Sequence, residues 1–428
     1  MITLNYSDSN FDQQLAEFCR TASAPKSVSD SVRNIIEEVS TRGDAAIVDL
    51  LKKIDGVCLK PEELRVPKEA LKAAAETISE DRRSAILQAI ESVQAFHRKG
   101  LPSGWDGTNP HGARVGEKFY PIQRVGIYTP GGQVPLSSTI VMTAAPAKLA
   151  GVPSIAAFTP PGKKGVDINL LATYYLCGIE EVYRVGGPMA IAAAAFGTES
   201  IPSVYKIFGP GNVYTNEAKR QVLGTVGIDI LAGTSEVMII CDETANPAYV
   251  AADLLAQAEH DPRVKLYLTI PSESMLSDIL KEIETQKNQL SHQDNIAGTL
   301  EDGFLAIVCA SLDEAIDAAN CIAPEHLELH TEEAQLDRLL EEIKTAGAIF
   351  MGHNTPTVLG DFAAGPNHTL PTGCTGRFYS GLQITDFLRR SSYVKYSREQ
   401  LDAAAPIVRA FSAMEQLDAH GQSLEIRL

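Results

Sequence analysis

The sequence lacks the residues from which several classes of protein are built. Its 7 cysteines are an odd number, scattered without a CxxC pair. That excludes a disulfide framework and a thiolate zinc site, and it fits a reducing cytoplasm. Basic charge is also short: 37 Lys and Arg against 54 Asp and Glu leave a net charge of −17, a field that repels nucleic-acid phosphates and anionic lipid surfaces. No apolar run is long; residues 189–196, among the most apolar, fall far short of the roughly 20 residues that cross a bilayer. Residues 1–8 carry no basic stretch ahead of an apolar core, so no signal peptide is expected. Neither nucleic acid nor a membrane is an expected partner. Also missing is a GxGxxG after a first strand, which removes the standard dinucleotide fingerprint.

What is present is an ordinary globular balance, with 44% hydrophobic and 21% charged residues in 428, a length at which two principal domains are expected. Residues 27–99 read as helical, with Val32, Ile35, Ile36 and Val39 at helical spacing and a later run through Ile86, Ile90, Val93 and Phe96. Residues 101–110 break the pattern and read as a connection. Beyond about residue 120 short β-like runs (125–128, 154–158, 181–185, 204–208) alternate with apolar helical ones (140–149, 170–176, 190–195). A second series (237–241, 264–270, 305–309, 348–351) alternates with charged amphipathic helices. Such alternation predicts parallel, helix-covered sheets. The expected fold is therefore α/β with two parallel-sheet domains of incomplete Rossmann-like type and helical extensions at both ends. Its divisions are 1–120 (helical, contributing to the first domain), 121–234, 235–378, and a helical tail, 379–428, too small to fold alone.

Four segments carry candidate chemistry. In residues 246–262, Asn246 is a good N-cap, Pro247 suits the first helical position and Pro262 stops the helix. Gln257 and His260 then stand at i and i+3, a spacing that suits a shared metal and equally a solvated helix end whose histidine the dipole favours. Glu325 and His326 follow Pro324, a helix boundary, and are expected at an exposed turn; a carboxylate beside an imidazole suits proton transfer near neutral pH. Residues 360–372 place Asp361, Asn367 and His368 in a Gly- and Pro-rich loop, where turn hydrogen bonds are the alternative use. Glu415 and His420 lie near the end of a terminal helix expected over about 398–420. Three glycine-rich turns follow strand candidates, at 128–132, 186–188 and 209–212. In a parallel sheet they collect at the carboxyl ends of strands, where ligands bind.

Together these segments resemble the histidinol dehydrogenase family from about residue 43 to the C-terminus. The most specific stretch is Ile228-Asp229-Ile230-Leu231-Ala232-Gly233-Thr234-Ser235-Glu236-Val237, followed at the family's spacing by Gln257-Ala258-Glu259-His260. Agreement extends through Lys206-Ile207-Phe208-Gly209-Pro210-Gly211-Asn212, residues 323–327, Asn367-His368-Thr369-Leu370-Pro371-Thr372 and Leu417-Asp418-Ala419-His420. The resemblance implies an aldehyde-dehydrogenase-like fold and an NAD-linked, zinc-dependent oxidation of histidinol through a bound aldehyde to histidine, the last step of histidine biosynthesis. It implies one zinc per site, on Gln257, His260, Asp361 and His420. It implies Glu325 and His326 as the catalytic pair, and Ser235, His368 and Glu415 as substrate contacts beside the zinc ligands and His326. Tyr128 and Asn212 match NAD-binding positions. It implies a cytoplasmic homodimer whose tail after about Tyr379 reaches the partner's site.

Two stretches depart from the family. Gly186-Gly187-Pro188-Met189 replaces the usual Gly-Gly-Ala-Gln, losing an amide expected to touch NAD, and Gly233-Thr234-Ser235-Glu236 replaces Gly-Pro-Ser-Glu. They leave open a paralogue resembling sulfopropanediol dehydrogenase, although Glu415, suited to an ammonium group, favours histidinol. From other classes, a zinc hydrolase leaves the glycine turns unexplained, and a non-catalytic metal-binding protein leaves the Glu325–His326 pair idle.

Overall fold

A computed structural model describes residues 1–20, 25–131 and 135–428; Gly132, part of one expected glycine turn, lies outside them. The described strands are β1 (Ile2–Asn5), β2 (Trp105–Thr108), β3 (Arg114–Pro121), β4 (Arg124–Tyr128), β5 (Ser154–Phe158), β6 (Glu181–Tyr183), β7 (Lys206–Phe208), β8 (Gly227–Ile228), β9 (Glu236–Cys241), β10 (Lys265–Ile270), β11 (Phe304–Val308), β12 (His326–His330), β13 (Ala348–Met351) and β14 (Leu388–Lys395). They form a five-stranded sheet in the order β6-β5-β4-β7-β8 and a six-stranded sheet in the order β1-β11-β10-β9-β12-β13. All pairings in both are parallel.

Both sheets are covered on both faces, so successive residues of a strand enter different cores. Tyr128, Phe158 and Tyr183 join one cluster with helix Lys26–Arg42, while Val125, Ile127 and Ile155 join another with helix Ser137–Leu149. In the larger sheet Met238, Tyr267 and Leu327 face one core, and Val237, Ile239 and Leu266 face the other. This is why these strands read as continuous apolar runs. One strand breaks the rule. Leu327 and Leu329 of β12 enter a core, whereas the opposite face carries His326, Glu328 and His330, all buried.

The ends of the chain depart from the expected helical extensions. β1 pairs with β11, so the first residues join the larger sheet rather than the smaller one. β2, β3 and β14 form a separate antiparallel sheet in which Leu388 opposes Pro121 and Lys395 opposes Arg114. The connection expected at 101–110 thus contains a strand, and the tail begins with one. The terminal helix is two: Arg398–Met414 and Asp418–Glu425, broken at Gln416, whose φ is +55°.

The glycine turn after β7 is held by a buried ion pair between Lys219 and Asp229. Lys219 Nζ also donates to the carbonyls of Gly209 (3.0 Å) and Ile230 (2.8 Å), and Asp229 accepts from the Gly209 N–H at 2.7 Å. Gly209 has a φ of +114°, and a Cβ there would lie 2.1 Å from the Tyr128 carbonyl oxygen. The close approach fixes β7's turn against β4's. Replacing Asp229 with Ala strands a buried ammonium, and we expect a loss of about 3–5 kcal/mol in urea denaturation. A loss below about 1 kcal/mol would show that other bonds hold the turn.

Candidate active site

The polar face of β12 carries His326, and its Glu328 lines a cavity with two further sequence-marked residues, Gln257 and Asp361. β12 lies between β9 and β13, with His326 opposite Val237 and Ala348. Glu325 and His326 are 6% and 4% exposed, which corrects the expectation of an exposed turn. The turn exists, with Ala323 in the left-handed conformation at φ +50° closing helix Leu312–Ile322. It delivers the pair into the middle of a sheet instead of to solvent.

The backbone of one residue, Glu236, orients both groups through the two peptide units that flank it. The Glu236 N–H donates to Glu325 Oε2 at 2.8 Å, and the Glu236 carbonyl lies 3.1 Å from His326 Nδ1. A carbonyl only accepts, so Nδ1 carries a proton and Nε2, buried without a partner, is the free basic atom. Glu325 Oε2 lies 3.5 Å from the same Nδ1. Burial pulls the His326 pKa down, but the charges of Glu325 and Asp361 and the bond to Glu236 outweigh it and lift the imidazole to about 9. Burial, then Glu325's charge, pushes the Glu236 carboxyl up to about 8.

Gln257 and Asp361 line one small cavity together with Asp253, Glu328 and Thr357. Gln257 is buried on helix Pro247–Ala258, whose start is capped by Asn246 accepting from the Ala248 N–H at 2.9 Å. That helix ends four residues before Pro262. Asn295 Nδ2 takes the Glu259 carbonyl at 2.8 Å and Thr299 Oγ1 the Asp261 carbonyl at 3.0 Å, so the chain turns away after Ala258. His260 therefore stands past the helix, exposed, and does not share Gln257's buried face. Asp361 lies in the last turn of helix Thr357–Phe362, not in the loop expected from its glycines. A larger, shallower cavity among Arg114, Lys118, Tyr120 and Tyr393 of the antiparallel sheet holds none of these groups.

The loop after Asp361 is fastened from both sides. Asn367 Nδ2 donates to the Met142 carbonyl at 2.6 Å and its Oδ1 accepts from the Thr369 N–H at 2.9 Å, so this asparagine is structural. Thr372 Oγ1 accepts from the Gly233 N–H, joining the loop to the segment that carries half-buried Ser235. His368 Nε2 is buried and unpartnered, and burial lowers its pKa. Glu415 and His420 are exposed on the terminal helices, and among the described residues neither side chain bonds to any of these groups.

On the smaller sheet, Tyr128 is buried and its hydroxyl accepts from the Gly187 N–H at 3.1 Å. Asn212 caps helix Val213–Val222, accepting from the Tyr214 and Thr215 N–H groups at 3.0 and 3.1 Å. The turns converge as expected: a Cβ on Gly131 or Gly186 would strike Pro160 at 2.8 or 2.5 Å. Met189, where the family has an amide, is 2% exposed in the core.

Sequence reasoning missed Asp253, Glu328 and His330. Both carboxylates lie 3.3 Å from His330 Nε2, and one ligand atom from each of the three residues falls within 4.8 Å of the others. Burial lowers the His330 pKa, yet Asp253 and Glu328 raise it to about 9; Asp253 is itself raised to about 6, by burial first. The available signal was the run His326-Leu327-Glu328-Leu329-His330, whose period of two sets three polar residues on one face.

Residues 19–428 match the family model for histidinol dehydrogenase. The chain is 43% identical to the histidinol dehydrogenase of Synechococcus sp. over 93% of its length and 91% of that protein's. It is 40% identical to that of Rhizobium meliloti over 100% and 98%. The crystal structure of histidinol dehydrogenase from Elizabethkingia anophelis superposes with a TM-score of 0.94 at 34% identity, covering 100% of this chain and 98% of that one.

The geometry makes Glu325 the main source of the raised His326 pKa. In metal-free Glu325→Gln protein the His326 titration should fall from about 9 toward 6.5, read by NMR of the histidine ring protons. A midpoint unchanged from wild type would assign the shift elsewhere.

Proposed function

The chain belongs to the histidinol dehydrogenase family, and on that footing we propose that it oxidises L-histidinol through bound L-histidinaldehyde to L-histidine, using zinc and NAD. The observation that carries this reading is the backbone of Glu236, whose N–H holds Glu325 and whose carbonyl holds His326 Nδ1 and leaves Nε2 free, on the strand whose Glu328 lines a cavity with Gln257 and Asp361. In the first oxidation His326, in its neutral form with the proton on Nδ1, takes the alcohol proton at Nε2. Glu325, steadied through Oε2, then takes a proton from the water that adds to the aldehyde. When bound, NAD would supply the hydride acceptor for each oxidation, and zinc, held by Gln257, His260, Asp361 and His420, would supply Lewis-acid binding of the substrate.

The donor set fits zinc. An amide oxygen and a carboxylate share a cavity without thiolates, and His260 and the tail's His420 are the imidazoles that complete the set. NAD fits the smaller sheet, where glycine turns and the starts of helices Gly187–Phe196 and Val213–Val222 meet at the strands' carboxyl ends. With Met189 buried, Tyr128, Asn212 and backbone groups are left to hold the cofactor. The paralogous reading rests on Met189 and Thr234.

Assays with histidinol, with sulfopropanediol and with neither separate these readings: NAD reduction with histidinol alone, two per substrate, is the expected result. Chelation should abolish it and zinc restore it. Full activity in metal-free protein, or turnover of sulfopropanediol in preference, would overturn the assignment.

The same reading makes the enzyme a cytoplasmic homodimer with shared sites. Helix Arg398–Met414 leaves Ile407, Phe411 and Met414 at 50, 55 and 66% exposure. They fall at i, i+4 and i+7, one apolar stripe, next to the residues that the site requires. Combining a His420→Ala subunit with a Glu325→Gln, His326→Asn subunit, each inactive alone, tests the exchange. A mixed dimer with crossed tails has one site free of defects, so activity should return to a fraction of wild type. Mixtures that stay inactive after confirmed subunit exchange would place each tail on its own subunit.

A further inference from the structure

Three elements carry the proposed zinc and acid–base groups: helix Pro247–Ala258 with Gln257, β12 with His326, and helix Thr357–Phe362 with Asp361. Each presents a further polar residue along the same face. Asp253 lies one helical turn before Gln257, Thr357 one turn before Asp361, and Glu328 and His330 continue His326's face of the strand. These further residues bond to one another. Glu328 Oε1 accepts from the Thr357 N–H at 2.6 Å and from the Thr357 hydroxyl, taking a free N–H at the start of that helix. Its Oε2 lies 3.3 Å from His330 Nε2, and that nitrogen lies 3.3 Å from Asp253 Oδ2. The chain Asp253–His330–Glu328–Thr357 thus crosses from one helix, through the strand, to the other.

We propose that this buried chain is a brace that sets the spacing of Gln257, His326 and Asp361, making Asp253, Glu328, His330 and Thr357 positioning residues of the active site. The inference rests on the proposed zinc reading for its consequence, though not for its geometry. The Glu328–Thr357 bonds are short and buried, the two carboxylate contacts that share His330 Nε2 are longer at 3.3 Å, and each residue of the chain lies one helical turn, or one or two alternate strand positions, from the residue it serves. A one-turn lever turns a small tilt of helix Thr357–Phe362 into a displacement of Asp361, and a metal's bond lengths tolerate little displacement. Residues of this kind typically act on metal affinity or activity by about 10- to 100-fold.

Glu328→Gln and His330→Gln are measured beside wild type for zinc affinity, by competition with a chromogenic chelator, and for kcat and KM. Hydrogen exchange of metal-free protein over residues 355–362 is followed with residues 137–149 as the reference. We expect zinc to bind about 10- to 100-fold more weakly, kcat to fall in the same order, NAD affinity to stay at wild type, and exchange to quicken only in the first segment. Thr357→Val should behave alike and Thr357→Ser like wild type, a pair that keeps the question open to test if a Glu328 variant does not fold. Folded variants with wild-type zinc affinity, or with unchanged exchange over 355–362, would overturn the brace. So would two zinc ions per chain with the second lost in His330→Gln, which would make the cluster a metal site. A wild-type protein that binds no zinc overturns the functional reading alone, and the exchange result then decides the brace.

Discussion

The site depends on the parallel pairing of β12 with β9 in one register. That pairing sets His326 opposite Val237 and so brings the N–H and the carbonyl of Glu236 against Glu325 and His326 in turn. A slip of one residue would turn His326, Glu328 and His330 into the core that Leu327 and Leu329 now fill, burying three polar groups among apolar ones. Packing on one face of the strand thereby fixes chemistry on the other. The hydrophobic effect supplies the register, and the backbone hydrogen bonds supply the orientation.

The two parallel sheets solve different problems. The smaller sheet spends its side chains on packing and leaves its ligand surface to glycine turns, held closed by Lys219, Asp229 and the approach of Gly209 to Tyr128. On the proposed reading such a surface would recognise its cofactor through backbone N–H groups and helix starts, and Met189, buried in the core, stands apart from it. The larger sheet does the reverse. It gives up a whole strand face to polar side chains, which is costly where they are not bonded; the backbone of Glu236 and the Asp253–His330–Glu328–Thr357 chain supply bonds, while His326 Nε2 and His330 Nδ1 have no partner among the described residues.

Much of this was legible in the sequence because strands buried on both faces are short apolar runs, and eight of them were read from composition alone. The strands at 154–158 and 348–351 came out to the residue, and most others within a residue or two. β1, β2, β3 and β14 were not legible, since β14 pairs with a segment about 270 residues away and local pattern carries no record of a distant partner. β12 failed for another reason: Pro324 marks a turn correctly, but the polar residues after it mimic a surface loop. His260 was placed on Gln257's face because the helix was extended to Pro262, while the bonds that end it early come from Asn295 and Thr299, remote in sequence.

Four titrating groups lie along the polar face of β12 and its neighbours. Glu236 is raised to about 8, Asp253 to about 6, and His326 and His330 each to about 9. Burial is the first cause in all four, yet burial alone moves carboxyls and imidazoles in opposite directions, raising the first and lowering the second. That the imidazoles rise as well requires a surplus of negative charge large enough to overcome their desolvation, and Glu325, Glu328, Asp253 and Asp361 provide it. A protein that concentrates carboxylates in a poorly solvated cavity destabilises its own folded state there. The arrangement persists where positive charge answers it, which is the condition that a divalent cation and a substrate ammonium group meet together.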